Sequence, residues 1–246
     1  MKTLLTVTLF IVGLTTFIYS KNKINKNYLE HSSKKCKVYK SPIINKNGLD
    51  GSTYIIIINK NQMSYGVSDK NQTNNDFYIN SNFFSNYGPI GEVKIDGKIK
   101  HPKKSGGGYF TSTNGIPSIS FYKHSKNVKS SCQTHLIGVR NGIINNSICK
   151  TKWGRWKTHR ILIGVDNQKN IVVVHSGNMG FLSIEDICKI GVNYGIVNGL
   201  LFDGGSSVEV GIKDGTYSHH FQSVSDFGKL LGNIHKPYTY IVGNFN

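Results

Sequence analysis

Short apolar, β-branched and aromatic runs recur along the chain from residue 51 onward: STYIIIIN, DFYIN, EVKIDGKIK, GYFTS, SISFYK, HLIGV, ILIGV, NIVVVHS, GLLFD, VEVGI and YTYIVGNF. Most are bounded by Gly, Asn or Asp-Gly, which predicts strands joined by tight turns. Asp96-Gly97 and Asn141-Gly142 are the pairs that two-residue hairpins favour, because both positions there take positive φ. One segment carries a different period. In SIEDICKIGVNYG, Ser183 and Asp186 have capping-box spacing, Ile184, Ile187, Cys188, Gly191 and Tyr194 share one face, and Gly195 supplies the stop. This predicts a helix of roughly three turns that runs directly into a strand at Leu200–Asp203. Residues 21–50 are rich in Lys and Asn with weak periodicity, and read as a linker and an irregular first segment. The pattern as a whole predicts an α+β fold, a single domain over residues 51–246 of mixed or antiparallel β-sheet with a few helices.

The first 20 residues stand apart. MKTLLTVTLFIVGLTTFIYS has a basic Lys2, an uncharged apolar run and a polar sequel, the layout of a secretory signal peptide. Ile18 and Ser20 satisfy the small-residue cleavage rule only loosely, so a retained signal anchor stays open, and with it membrane association through this segment. The expected compartment is secreted, periplasmic or cell envelope. Four cysteines, Cys36, Cys132, Cys149 and Cys188, match no zinc spacing. Outside the cytoplasm they read as disulfides, with Cys132–Cys149 flanking a hairpin as the favoured pair, against four independent buried thiols.

A formal net charge of +17 invites a nucleic-acid reading. It is discounted here, because the lysines are scattered and no strand interleaves basic with aromatic residues as a base-stacking platform does. Only Arg140, Arg155 and Arg160 are arginine among the 30 basic residues, which makes a planar guanidinium more informative than an ammonium. Adjacent His219 and His220 point to opposite faces of a strand and His175 has no partner at ligand spacing, so no metal site is read. Gly106–Gly108 lacks the following Gly-Lys-Ser/Thr of a phosphate loop. No cofactor is expected.

The stretch GLLFDGGSSVEVG, residues 199–211, places Asp203 at the end of an aliphatic strand before two glycines and two serines. A tight turn accounts for it, since Asp and Gly dominate turns. So does a site, since a carboxylate followed by exposed backbone donors is a binding constellation.

Read in order, the segments resemble the phosphodiester glycosidase family, from about residue 50 to the C-terminus. YINSNFF looks like the family's Asn-x-x-x-Phe element, with Asn80 at the asparagine. GPIGEVKIDGKIK and SGGGYFTSTNGIPSI look like its next strands and turns. QTHLIGVRNGII keeps Gln133 and Gly142 at the spacing of its Gln-Ser-Gly-Pro strand. Arg160 and Gly164 match its Arg-x-x-x-Gly strand, and FLSIEDICKIGVNYGIVNGLLFDGGSSVEV matches its helix, strand and Asp-Gly-Gly-x-Ser loop. The chain departs from the pattern at Glu92, at His135-Leu136, at Val208 and at Lys236.

The resemblance implies a glycoside hydrolase acting on a sugar-1-phosphodiester of the N-acetylhexosamine type or on an envelope glycopolymer. The alternative is an envelope protein that binds such glycans without cleaving them. Asp203 and Arg160 are the catalytic candidates. Arg160 offers bidentate donors to a phosphate, with a surface ion pair as the plain reading. Asn80 and Gln133 are candidates for sugar hydroxyls or the acetamido group, and Gly204, Gly205, Ser206 and Ser207 for the phosphate oxygens. Gln133 reads equally as an edge-strand residue. Glu92 is the one acid placed to serve as a second carboxylate, and reads otherwise as a solvated strand residue.

Overall fold

The computed structural model describes residues 28–44, 50–69, 74–85, 87–122, 124, 127–223 and 238–246. The apolar N-terminal run and Lys236 lie outside the described residues. Among the described residues, three sheets of five or more strands carry the fold. The largest has eight strands, in the order Tyr28–Ser32, Cys36–Ile44, Asp50–Ile58, Ile171–Ser176, Ile161–Val165, Asn198–Leu201, Leu136–Arg140 and Ile143–Ile144. A second runs Ile116–Phe121, Gly108–Thr113, Ser130–Thr134, Val93–Ile95, Lys98–His101. The third runs Tyr217–Gln222, Glu209–Asp214, Phe77–Asn80, Tyr240–Phe245, Met63–Ser68. Neighbouring strands pair antiparallel throughout, as tight turns between short strands require.

The eight-stranded sheet is the middle layer. Ile56, Ile58, Ile161, Ile163, Val173 and Leu200 face the two smaller sheets and pack with Phe77, Ile79, Phe110, Val210 and Ile241. Their neighbours in sequence, Ile55, Leu162, Val172, Val174 and Leu201, face the other way, onto Ile184, Ile187 and Cys188. Successive strand side chains point to opposite faces, so a strand covered on both sides reads as an unbroken apolar run such as ILIGV.

The covering helix is Ile184–Asn193. Ser183 Oγ accepts from the Asp186 amide while the Asp186 carboxylate accepts from the Ser183 amide, the reciprocal cap its spacing predicts. Ile184, Ile187, Cys188 and Gly191 are its buried face, and Gly195 follows with φ +90°. Asp96-Gly97 and Asn141-Gly142 take the paired positive φ expected of hairpin turns.

Two sequence expectations are corrected. Residues 28–44, placed in a linker and irregular segment over 21–50, form two strands that extend the middle sheet, with Cys36–Ile44 paired along its whole length to Asp50–Ile58. Their apolar positions, Cys36 and Val38, alternate with lysines that stay toward solvent, so mean hydropathy hides them. All four cysteines are free buried thiols. Cys132 lies in the core between the sheets and Cys149 in the core under the helix, so the middle sheet separates the pair expected to bridge.

Candidate active site

Three strand ends meet beside the middle sheet: Asn80 from Phe77–Asn80, Gln133–Thr134 from Ser130–Thr134, and Leu201–Asp203 from Asn198–Leu201. The segment 80–82 stitches them together. Asn80 Nδ2 donates to the Asp203 carbonyl at 2.8 Å, and the Asp203 amide donates to the Ser81 carbonyl at 3.1 Å. Asn82 Nδ2 donates to the Gln133 carbonyl at 2.7 Å, and Thr134 Oγ1 donates to the Leu201 carbonyl at 2.7 Å. Asn80 Oδ1 also accepts from the Glu209 amide at 2.9 Å, so this fully buried amide holds both ends of the Asp203–Ser207 turn.

Asp203 is half-buried at the mouth of this junction. The Gly204–Gly205 turn passes over His159 and Arg160. Gly205 has φ +65° and donates to the His159 carbonyl at 2.9 Å, and a Cβ on Gly204 would stand 2.7 Å from that same carbonyl. Both glycines are therefore required by geometry. The amides of Gly204 and Ser206 have no acceptor among the described residues, whereas the Ser207 amide turns back to the Gly204 carbonyl. Two unengaged N–H groups beside a carboxylate suit a tetrahedral anion. A cleft of about 550 Å³ opens along Gly205 and Ser206, walled by Thr158, His159, Phe181 and Phe221. Burial pushes His159 down to about 4, which keeps its ring neutral near pH 7, and its Nδ1 is buried without a hydrogen-bond partner.

Arg160 is present at this junction. Its Nη2 donates to the Trp153 and Trp156 carbonyls, both at 3.0 Å, and Nε donates to the Leu182 carbonyl at 3.4 Å. Its guanidinium lies over the Trp153 ring, 4.7 Å from the centroid. Both Nη2 hydrogens are thereby spent on carbonyls, while the Nη1 hydrogens have no acceptor among the described residues. Arg160 positions the 153–156 turn, and its aliphatic stem runs alongside Gly204.

Gln133 is also engaged internally. Its Oε1 accepts from the amides of Glu92 and Lys104, both at 2.9 Å, and its Nε2 donates to the carbonyls of Lys104 and Gly106, both at 2.7 Å. This fully buried amide fastens two loops and has no capacity left for a sugar. Glu92 is not a solvated strand residue. It is 5% exposed, with its carboxylate accepting from Ser131 Oγ and paired to His124 Nε2 at 2.6 Å.

Sequence reasoning passed over a group of aromatic rings, one of which, Trp153, lies against the Arg160 guanidinium. Phe83 lies 6.2 Å from Trp153 and Phe84 lies 5.2 Å from Tyr238, ring to ring. Trp153, Trp156 and Tyr238 are all more than a third exposed. The Phe83-Phe84 pair following Asn80 was the available signal. The two tryptophans lie in a short polar segment where no periodicity singles them out.

The fold resembles that of proteins of known structure. The catalytic domain of zebrafish N-acetylglucosamine-1-phosphodiester alpha-N-acetylglucosaminidase, auto-inhibited by its pro-peptide, superposes with a TM-score of 0.62 at 14% identity, covering 89% of this chain and 87% of that one. A hypothetical protein from Synechocystis gives 0.56 at 12% identity, over 87% and 63% of the two chains. A Burkholderia pseudomallei protein described as exported gives 0.50 at 9% identity, over 79% and 74%. No curated protein sequence matches the chain. The phosphodiester glycosidase family model matches residues 50–228, which takes in the Asn80 segment, the Gln133 strand, Arg160, the helix and the Asp203 loop. By that match, over a fold whose strand ends converge on Asp203, the chain belongs to the phosphodiester glycosidase family.

Proposed function

We propose that this protein is a hydrolase that cleaves the glycosidic bond of a sugar-1-phosphodiester, with an N-acetylhexosamine as the sugar. The observation that carries the reading is the half-buried Asp203 followed by the Gly204–Ser206 turn with two unengaged amides, opening on a cleft. Breaking the C–O bond builds positive charge on the anomeric carbon and leaves a phosphate. A phosphate leaves readily, so little proton donation is needed. Asp203 stabilises the developing cation, and the Gly204 and Ser206 amides with the Ser206 hydroxyl receive the departing anion. Arg160 contributes by its charge and by holding the turn in place. The exposed rings of Trp153 and Tyr238 offer apolar faces for the sugar. The apolar N-terminal run supports export to the envelope or beyond.

A second reading rests on the internal engagement of Asn80, Gln133 and Arg160, which leaves few side chains for chemistry: the same site binds a sugar-phosphate without cleaving it. One experiment separates the two. A panel of sugar-1-phosphodiesters is incubated with the protein, and free reducing sugar and phosphomonoester are measured alongside binding by calorimetry. Equimolar release of both products supports hydrolysis. Binding without release on every member supports the second reading, and neither binding nor release rejects both.

A further inference from the structure

A cluster remote in sequence from the Asp203 loop has no part in the reading above. His31 lies one residue before the end of the first strand, Cys36 opens the second, and Asp214 closes the strand Glu209–Asp214. Their ligand atoms, His31 Nε2, Cys36 Sγ and an Asp214 carboxylate oxygen, all lie within 4.8 Å of one another. Asp214 Oδ2 accepts from His31 Nε2 at 2.8 Å, from Cys36 Sγ at 3.5 Å and from Ser33 Oγ. Cys36 is fully buried, and the His31 ring is fixed by stacking on Tyr217 at 4.4 Å. Three donors aimed at one carboxylate oxygen make a point where a single cation can replace their protons.

We propose that His31, Cys36 and Asp214 form a zinc site that bolts the N-terminal hairpin to the body of the domain. The ligand set is one nitrogen, one sulfur and one oxygen, a combination that selects a borderline-soft dication over magnesium or calcium. A tetrahedral zinc separates its ligand atoms by roughly 3.3–3.8 Å, so side-chain adjustments of about 1 Å complete the geometry. Ser33 Oγ or a solvent oxygen takes the fourth position. On binding, the Cys36 thiol releases its proton to solvent, and the neutral imidazole moves its proton from Nε2 to Nδ1. The dication, one thiolate and one carboxylate then sum to zero, which suits a site with so little solvent around it. The first strand has a single neighbour in the sheet, and Tyr28 and Leu29 on it are more than half exposed. Two of the three ligands come from this hairpin, which precedes the family-matched residues, and the third comes from within them.

The test uses the full chain, stripped with a chelator, reloaded with zinc chloride and dialysed. Elemental analysis is expected to find one zinc retained per chain, and the melting temperature should rise on reloading. Cobalt(II) in place of zinc should give a thiolate charge-transfer band and the intense visible absorption of a tetrahedral site. Cys36→Ser and His31→Gln should each weaken zinc by at least the roughly 100-fold that even outer partners of a metal can command. Cys149→Ser should leave zinc unchanged. The cobalt spectrum of the unaltered chain reports the thiolate directly, so the proposal remains testable if Cys36→Ser does not fold. Failure of the unaltered chain to retain zinc, a cobalt spectrum without a thiolate band, or equal retention by folded His31→Gln would overturn it.

Discussion

Asp203 is the residue on which the chemical reading turns. Its backbone is fixed from both sides by Asn80 and Ser81, so replacing its side chain leaves the turn in place. Asp203→Asn is expected to lower kcat by at least about 100-fold while the affinity for a non-cleaved sugar-phosphate changes little, because the anomeric charge exists only in the transition state. Parallel kinetics and calorimetry check this, and near-normal turnover in the variant would remove the assigned role. Arg160→Lys acts differently. The ammonium keeps the charge but cannot reach the carbonyls of Trp153, Trp156 and Leu182 together. It should therefore cost about 1–3 kcal/mol in urea unfolding and shift the Trp153 and Trp156 rings, read as quenched or displaced tryptophan fluorescence. An unfolding midpoint equal to that of the parent would show that these three contacts do not hold the turn. At this scale the turn at Asp203–Gly205 was legible, since strand-acid-glycine is a local pattern. The engagement of Gln133 with residues 92, 104 and 106, and the burial of Glu92 against His124, depend on loops brought in from elsewhere in the chain.

At the scale of elements, the helix Ile184–Asn193 was readable because its cap, its face and its stop all lie within thirteen residues. Ser183→Ala removes the side-chain half of the reciprocal cap, leaving the Ser183 amide bonded to the Asp186 carboxylate, and is expected to cost about 1 kcal/mol, measured as a lowered unfolding midpoint with unchanged slope. No change would mean that packing of Ile184 and Ile187 alone sets the start of the helix. The strand Ser130–Thr134 is the opposite case. Ser-Ser-Cys-Gln-Thr is wholly buried, yet it carries no apolar pattern, because its polar side chains are satisfied by partners distant in sequence. Buried polar strands are legible only once those partners are in place.

For the whole molecule, burial holds several histidines neutral. His175 is fully buried, pushed down to about 3 by burial and by neighbouring His219 and His159, and its Nε2 meets His219 Nε2 at 3.2 Å. Burial and nearby His220 and Lys40 hold His219 at about 4, and burial holds His159 at about 4. Each lies below the ordinary value of 6.5, so between the two the unfolded chain binds more protons than the folded one. Stability should be full above about pH 6.5 and fall as the pH drops toward 4. Urea midpoints across pH 7.5 to 4.5 check this, and His219→Phe, which removes one of these rings, should flatten the slope. A midpoint that rises on acidification would contradict the burial of neutral rings.

The sequence alone determined the strand-rich fold, its hairpin turns, the helix Ile184–Asn193 and the Asp-Gly-Gly loop behind it, because each is encoded by neighbours a few residues apart. Tertiary structure decided the rest. It recruited the lysine-rich residues 28–44 as strands, kept Cys132 and Cys149 on opposite sides of a sheet, and turned Asn80, Gln133 and Arg160 inward onto backbone groups. Those outcomes depend on which polar groups lose water when distant segments meet. A buried amide or guanidinium takes whatever carbonyl is within reach, and which carbonyl that is becomes known only when the chain has closed on itself.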